Sequence, residues 1–125
     1  MQNVATWNAP AGIIIELELA FANKNLRHLC ESSAKANREL GVDTADKLRR
    51  RIADLRAAIS VSDLLLGAPK EIDCDGRPQI ALDLDKRFQI TFCANHNTLP
   101  ELESGTVDWS KVSRVKIVTV EEKNG

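Results

Sequence analysis

Residues 79–92 read Gln79-Ile-Ala-Leu-Asp-Leu-Asp-Lys-Arg-Phe-Gln-Ile-Thr-Phe92, two alternating runs separated by a charged turn. Ile80, Leu82 and Leu84 recur at every second position, and Phe88, Ile90 and Phe92 do the same. A period of two places each apolar set on one face of a strand, so the segment predicts a hairpin with one buried face. Gln89, Thr91 and Cys93 fall on the other face of the second strand. If that face is only solvated, the hairpin is ordinary. If it lines a groove, Gln89 is the residue to explain.

Upstream, Ile13 to Phe21 also alternates, with Ile13, Ile15, Leu17, Leu19 and Phe21 on one face and Glu16 and Glu18 on the other. This predicts a half-buried strand, preceded by an arm without period over Met1 to Gly12. Asn23 is placed to cap a helix running to about Leu40, with Leu26, Leu29, Cys30 and Ala34 as its apolar stripe and Gly41 as its stop. Asp43-Thr44-Ala45-Asp46 reads as the capped start of a second helix. Ala45, Leu48, Ile52, Leu55 and Ile59 recur at spacings of three and four, while Lys47, Arg50, Arg51 and Asp54 occupy the opposite face. The short connection predicts an antiparallel helical hairpin.

Downstream, Ser60 or Ser62 starts a short helical turn through Leu66, ended by Gly67 and Pro69. Lys70 to Cys74 predicts a strand, Asn95 to Asp108 a loop, and Val112 to Val120, apolar on both faces, an interior strand. The order is strand, helix, helix, then three or four strands. That is an α+β domain, with a helical pair on one face of a mainly antiparallel sheet.

At 125 residues the chain suits one domain, residues 1–125. Apolar residues make up 43% and charged residues 28%, with a net charge of −1, which excludes nucleic-acid binding by bulk charge alone. Charge is unevenly spread. Residues 23–59 hold nine Lys/Arg against five Asp/Glu, and residues 60–125 hold eight against eleven. Cys30, Cys74 and Cys93 are far apart and in no CxxC spacing, so they read as small buried hydrophobes in a reducing cytosol. His28 and His96 have no neighbour at metal-ligand spacing, and no metal or cofactor site is predicted. The sequence has no transmembrane run and no basic leader, so a cytoplasmic location is expected. It also has no GxSxG, phosphate-binding Gly-rich loop or HExxH. The Arg49-Arg50-Arg51 run reads either as a phosphate-contacting face or as a solvated one. Trp109, beside an apolar strand, reads as a core anchor.

Four pieces resemble the RelE/ParE toxin superfamily, in particular its HigB-like "host killer" branch. They are Leu26-Arg-His-Leu-Cys-Glu31, Lys47-Leu-Arg-Arg-Arg-Ile-Ala-Asp-Leu-Arg-Ala57, the hairpin Gln79 to Phe92, and Asp108-Trp-Ser-Lys-Val112. With the order of elements they cover about residues 13–122. The resemblance implies a RelE-like fold in β-α-α-β-β-β order, with two N-terminal helices packed on a small sheet. It implies a toxin of a type II toxin–antitoxin pair, neutralised by a cognate antitoxin of the helix-turn-helix, HigA-like kind. Active members cut mRNA on the ribosome by attack of the RNA 2′-OH on the adjacent phosphate. That chemistry needs cations on the phosphate and groups that move protons.

Carried over residue by residue, the resemblance places Gln89, Glu122, Lys123 and Asn124 at the catalytic positions. It places Lys86, Arg87, Arg49, Arg50 and Arg51 as RNA contacts. Gln89 stands where the family has Arg, and Lys123 and Asn124 stand where it has a Tyr-like residue and His. Most members are basic, whereas this chain is slightly acidic. The implied activity is therefore a ribosome-dependent endoribonuclease with an atypical site. The alternative is a catalytically degenerate toxin fold that only binds an antitoxin. Gyrase poisoning is a further reading within the superfamily.

Overall fold

Strands built from residues 77–94 sit inside a five-stranded sheet of the computed structural model, which describes residues 17–64 and 69–123. In chain order the elements are β1 Glu18–Phe21, α1 Lys24–Glu31, α2 Ser33–Leu40, α3 Val42–Ala57, β2 Lys70–Cys74, β3 Arg77–Asp83, β4 Phe88–Ala94 and β5 Arg114–Glu122. Short 3-10 turns cover Val61–Asp63 and Trp109–Lys111. The strands lie in the order β1-β5-β4-β3-β2. β1 runs parallel to β5, and the other neighbours are antiparallel. The class is α+β, as the periodicities predict. The final strand is interior, between β1 and β4, as its apolar character on both faces required.

Among the described residues the expected β-α-α-β-β-β order is corrected to one strand, three helices and four strands. The predicted first helix breaks at Ser32. That residue takes an extended conformation (φ −105°, ψ 113°), and its side-chain oxygen accepts from the Lys35 amide at 3.2 Å. Its own amide closes α1 on the His28 carbonyl. A serine that can cap competes with helix continuation, and here the cap wins. At the other end, Asn23 caps α1 as expected, accepting from the Leu26 amide at 2.8 Å. The start of the long helix is also corrected. α3 begins at Val42 directly after Gly41, and Thr44 lies inside it rather than capping it. Ile59 falls beyond the helix end and is 55% exposed, so it is not part of the buried stripe.

The N-terminal arm, the start of the predicted first strand and residues 65–68 lie outside the described residues. β2 and β3 are joined by Asp75-Gly76, both at positive φ (54° and 79°). That is the two-residue turn whose twist suits a hairpin. The Asp-Gly pair was a legible signal that the strand-by-strand reading passed over.

Pairing of Ile80 with Phe92, Leu82 with Ile90, and Phe92 with Ile117 stacks the apolar faces of β3, β4 and β5 together. Leu48, Ile52 and Leu55 of α3 and Leu26 and Leu29 of α1 join these residues in one buried cluster. The helices therefore cover one face of the sheet. α2 runs back along α3, with Arg56 near the end of α3 reaching Glu31 at 3.8 Å. Trp109 packs on the core edge, and its indole N–H donates to Glu71 at 3.0 Å. Cys30 is buried, which pushes its thiol up to about 12, chiefly by desolvation. Cys74 is exposed and Cys93 half-buried, so the expectation of three buried cysteines holds for Cys30 alone.

Gly41 joins α2 to α3 at φ 85°, ψ 157°, a region open essentially to glycine. A Cβ there would meet no atom within 4 Å, so the cost of Gly41→Ala is backbone strain alone. We expect a loss of about 1–3 kcal/mol of folding stability, read as a lower urea midpoint at unchanged slope. An unchanged midpoint would mean that the junction relaxes.

Candidate functional site

The carbonyl of Arg87 accepts from the amide of Lys123 at 2.7 Å, which ties the end of β5 to the β3–β4 turn. Around this bond the structure gathers Lys86, Arg87, Gln89, Glu122 and Lys123. The turn itself is organised by Asp85. One carboxylate oxygen accepts from the amides of Arg87 and Phe88, both at 2.8 Å, and the other accepts from the Thr44 hydroxyl of α3 at 2.6 Å. Arg51 adds a second link from α3, its Nε donating to the Asp83 carbonyl at 3.3 Å.

Register separates the candidate carboxylates. Gln89 lies opposite Asp83 on β3 and Glu121 on β5, so these three share the face away from the helices. Glu122 pairs with Phe88 and points to the helix-covered side. There it meets the Arg87 guanidinium at 3.6 Å. Lys123 returns to the Gln89 face, with its ammonium 3.1 Å from Asp83. Gln89 therefore sits in a row with two carboxylates and one lysine. Glu121, which sequence reasoning did not select, is its nearest acidic neighbour along β5. Asn124 lies outside the described residues.

The face around Gln89 is not open along its length. Thr91 is 2% exposed, and its hydroxyl lies 2.7 Å from that of Thr119. Ala81 and Gln79 are also buried. Gln89 and Lys123 at one end of this face, and Cys93 at the other, remain half-buried.

The arginine run divides. Arg50 reaches Asp46 at 3.2 Å, and Arg51 reaches Asp54 at 3.0 Å. Both line a cleft of about 380 Å³ with Lys47 and Leu84. Arg49 pairs with Asp46 at 3.5 Å and lines neither this cleft nor the adjoining one at the turn. The exposed Arg50–Asp46 pair contributes about 0–1 kcal/mol and yields readily to a stronger anion, whereas the Arg51 side chain is largely buried and also donates to the Asp83 carbonyl. Neither histidine joins the cluster. His96 uses its Nε2 to accept the Ser113 and Arg114 amides at 3.1 and 3.3 Å, which is a structural role at the start of β5. Among the described residues no group of three or more His, Cys, Asp or Glu is arranged to hold a metal ion. Among the same residues no helix is long and apolar enough to cross a membrane.

The Thr44 hydroxyl holds the Asp85 carboxyl below its ordinary value of 3.8; burial opposes it, and the Phe88 and Arg87 amides and the Lys47 charge add smaller downward effects. A carboxyl lowered by folding stabilises the fold fully above pH 3.8, and that contribution is lost as pH falls through the folded value. Asp85→Asn is therefore expected to melt below the wild type at pH 7. The gap should narrow as the pH is taken below about 3.8. Parallel melting curves at all pH values would show that the carboxylate charge does not hold the turn.

A scan of family models finds no match to this chain. Searches of the curated proteins and of the solved structures find no significant match either.

Proposed function

We propose that the chain is a HigB-like toxin of the RelE/ParE superfamily, with a RelE-like fold elaborated by a third helix and a fifth strand. In this reading it acts as a ribosome-dependent mRNA endonuclease with an atypical site. The observation that carries the reading is the Lys123–Arg87 backbone bond. It brings residues that the resemblance names in the hairpin and in the last strand to one accessible end of the sheet. There Lys123 supplies the charge that Gln89 lacks, since a glutamine can hydrogen-bond a phosphate but not neutralise it. The RNA 2′-OH attacks the adjacent phosphorus as the bond to the 5′ oxygen breaks. A carboxylate takes the 2′ proton, and a protonated group gives a proton to the leaving 5′ oxygen. Asp83, Glu121 and Glu122 are the acids at this end. Induced expression in bacteria is expected to stop growth and truncate mRNA within codons. Normal growth with intact transcripts would remove the reading.

One observation favours the alternative, a toxin fold kept for antitoxin binding. β1 stops pairing at Phe21, opposite Ile117, and among the described residues no strand pairs with β5 beyond that point on that side. A groove of about 560 Å³ runs beside Val118, Thr119 and Val120, walled by Leu26, Leu29, Lys35 and Glu39. A strand edge beside a groove of mixed apolar and charged lining is a template for an added strand. In this reading the purified protein binds the product of the adjacent gene without blocking translation. Failure to bind that product would count against it.

A further inference from the structure

We propose that the cleft between the start of α3 and the β3–β4 turn is a seat for one backbone phosphate of single-stranded RNA, held by Lys47 and Lys86. The inference rests on the reading above in taking RNA as the ligand, but not in requiring cleavage.

Four cations at this end of the molecule are already engaged. Arg50 is paired with Asp46, Arg51 with Asp54, Arg87 with Glu122 and Lys123 with Asp83, at 3.2, 3.0, 3.6 and 3.1 Å. Among the described residues Lys47 and Lys86 make no ion pair, and both line the same cleft of about 420 Å³. Its other walls are Asp43, Thr44, Asp85 and Arg87. Lys47 comes from α3 and Lys86 from the turn, and the Thr44–Asp85 bond at 2.6 Å fixes those two elements against each other.

Two carboxylates face the cleft. Both oxygens of Asp85 are occupied as acceptors, by Thr44 and by the two turn amides. Asp43 is exposed at the start of α3 and remains free to turn into solvent. Arg87 is the third donor. Its pair with Glu122 is long, and both side chains are well exposed, so a phosphate can draw the guanidinium over at small cost. Lys47 also lines the neighbouring cleft with Arg50 and Arg51. A strand held at this seat therefore continues past Arg87 towards Lys123 on one side and along α3 on the other. Lys47, rather than the conspicuous arginine run, becomes the central contact.

The test uses the full chain and a labelled twelve-nucleotide single-stranded RNA. Binding is followed by fluorescence anisotropy across a range of salt concentrations. Each phosphate neutralised on a single strand contributes about −0.7 to the slope of log K against log salt. The Lys47→Ala, Lys86→Ala double variant is expected to bind more weakly, with a slope shallower by about 0.7. Arg77→Ala, an exposed cation at the opposite end of β3, should keep the wild-type slope. Melting curves confirm that all three chains are folded. Equal slopes in the wild type and the double variant would overturn the seat, as would absence of RNA binding by the wild type. Displacement of the RNA by inorganic phosphate at matched ionic strength would reassign the site to free phosphate and also overturn it. A wild type that binds with the expected slope but leaves ribosome-bound mRNA intact would sink the nuclease reading and leave the seat standing. Cleavage with an unchanged slope in the double variant would do the reverse.

Discussion

In the nuclease reading proposed above, Lys123→Ala is expected to lower cleavage of ribosome-bound mRNA by about 10²–10³-fold, the usual cost of removing one group that stabilises developing charge. The reason lies in where the remaining cations are. Gln89 brings no charge, and Arg87 is turned towards Glu122 on the helix-covered side. Lys123 alone among the candidates holds its ammonium on the Gln89 face, 3.1 Å from Asp83. Its backbone is fastened to Arg87, and its side chain is only 27% exposed, so the charge is positioned rather than waving in solvent. Removing it leaves Asp83 and Glu121 flanking Gln89 with nothing to offset them, and a phosphate would then be repelled. Rates measured on purified ribosomes, with folding checked by circular dichroism, decide the matter. Equal rates for Lys123→Ala and wild type would place the chemistry elsewhere. The same assay separates the two acids. Glu121 shares the Gln89 face, so Glu121→Gln should cost more than Glu122→Gln.

Phe92→Ala should have the largest effect on the fold itself. The ring is fully buried at the centre of β4, opposite Ile80 on one side and Ile117 on the other. The β4–β5 register also shifts between Thr91 and Phe92. Removing a buried phenyl group costs its transfer free energy plus that of the cavity, about 3–5 kcal/mol. A domain of this size has a total stability of roughly 5–15 kcal/mol. The variant should therefore unfold at a far lower denaturant concentration, whereas Ile59→Ala, at an exposed position, should stay within about 0.5 kcal/mol of wild type. Similar midpoints for the two variants would contradict the core described above.

Local pattern carried much of this architecture. Alternation over residues 79–92 specified two strands and their buried faces, because a period of two leaves little freedom about which side chains meet the core. The stripe Ala45, Leu48, Ile52 and Leu55 specified the long helix for the same reason. Where two local signals competed, the pattern was not enough. Glu31-Ser32-Ser33 can continue a helix or cap one, and the energies differ by only about a kcal/mol. Contacts made by α2 along α3 settle that balance, and no local window contains them.

The candidate site divides in the same way. Composition and spacing were sufficient to determine the α+β class, the hairpin, the polar face of β4 and the concentration of positive charge on the helices. Tertiary structure decided which charges remain available. Pairing across the sheet set Gln89 between Asp83 and Glu121, carried Lys123 to that row and turned Glu122 away. Packing of α3 on the turn left Lys47 and Lys86 without partners among the described residues while occupying the arginines. The physical reason is that Coulomb attraction depends on separation in space. Residues such as Lys47 and Lys86, far apart along the chain, acquire a joint role only when the fold brings them into one cleft.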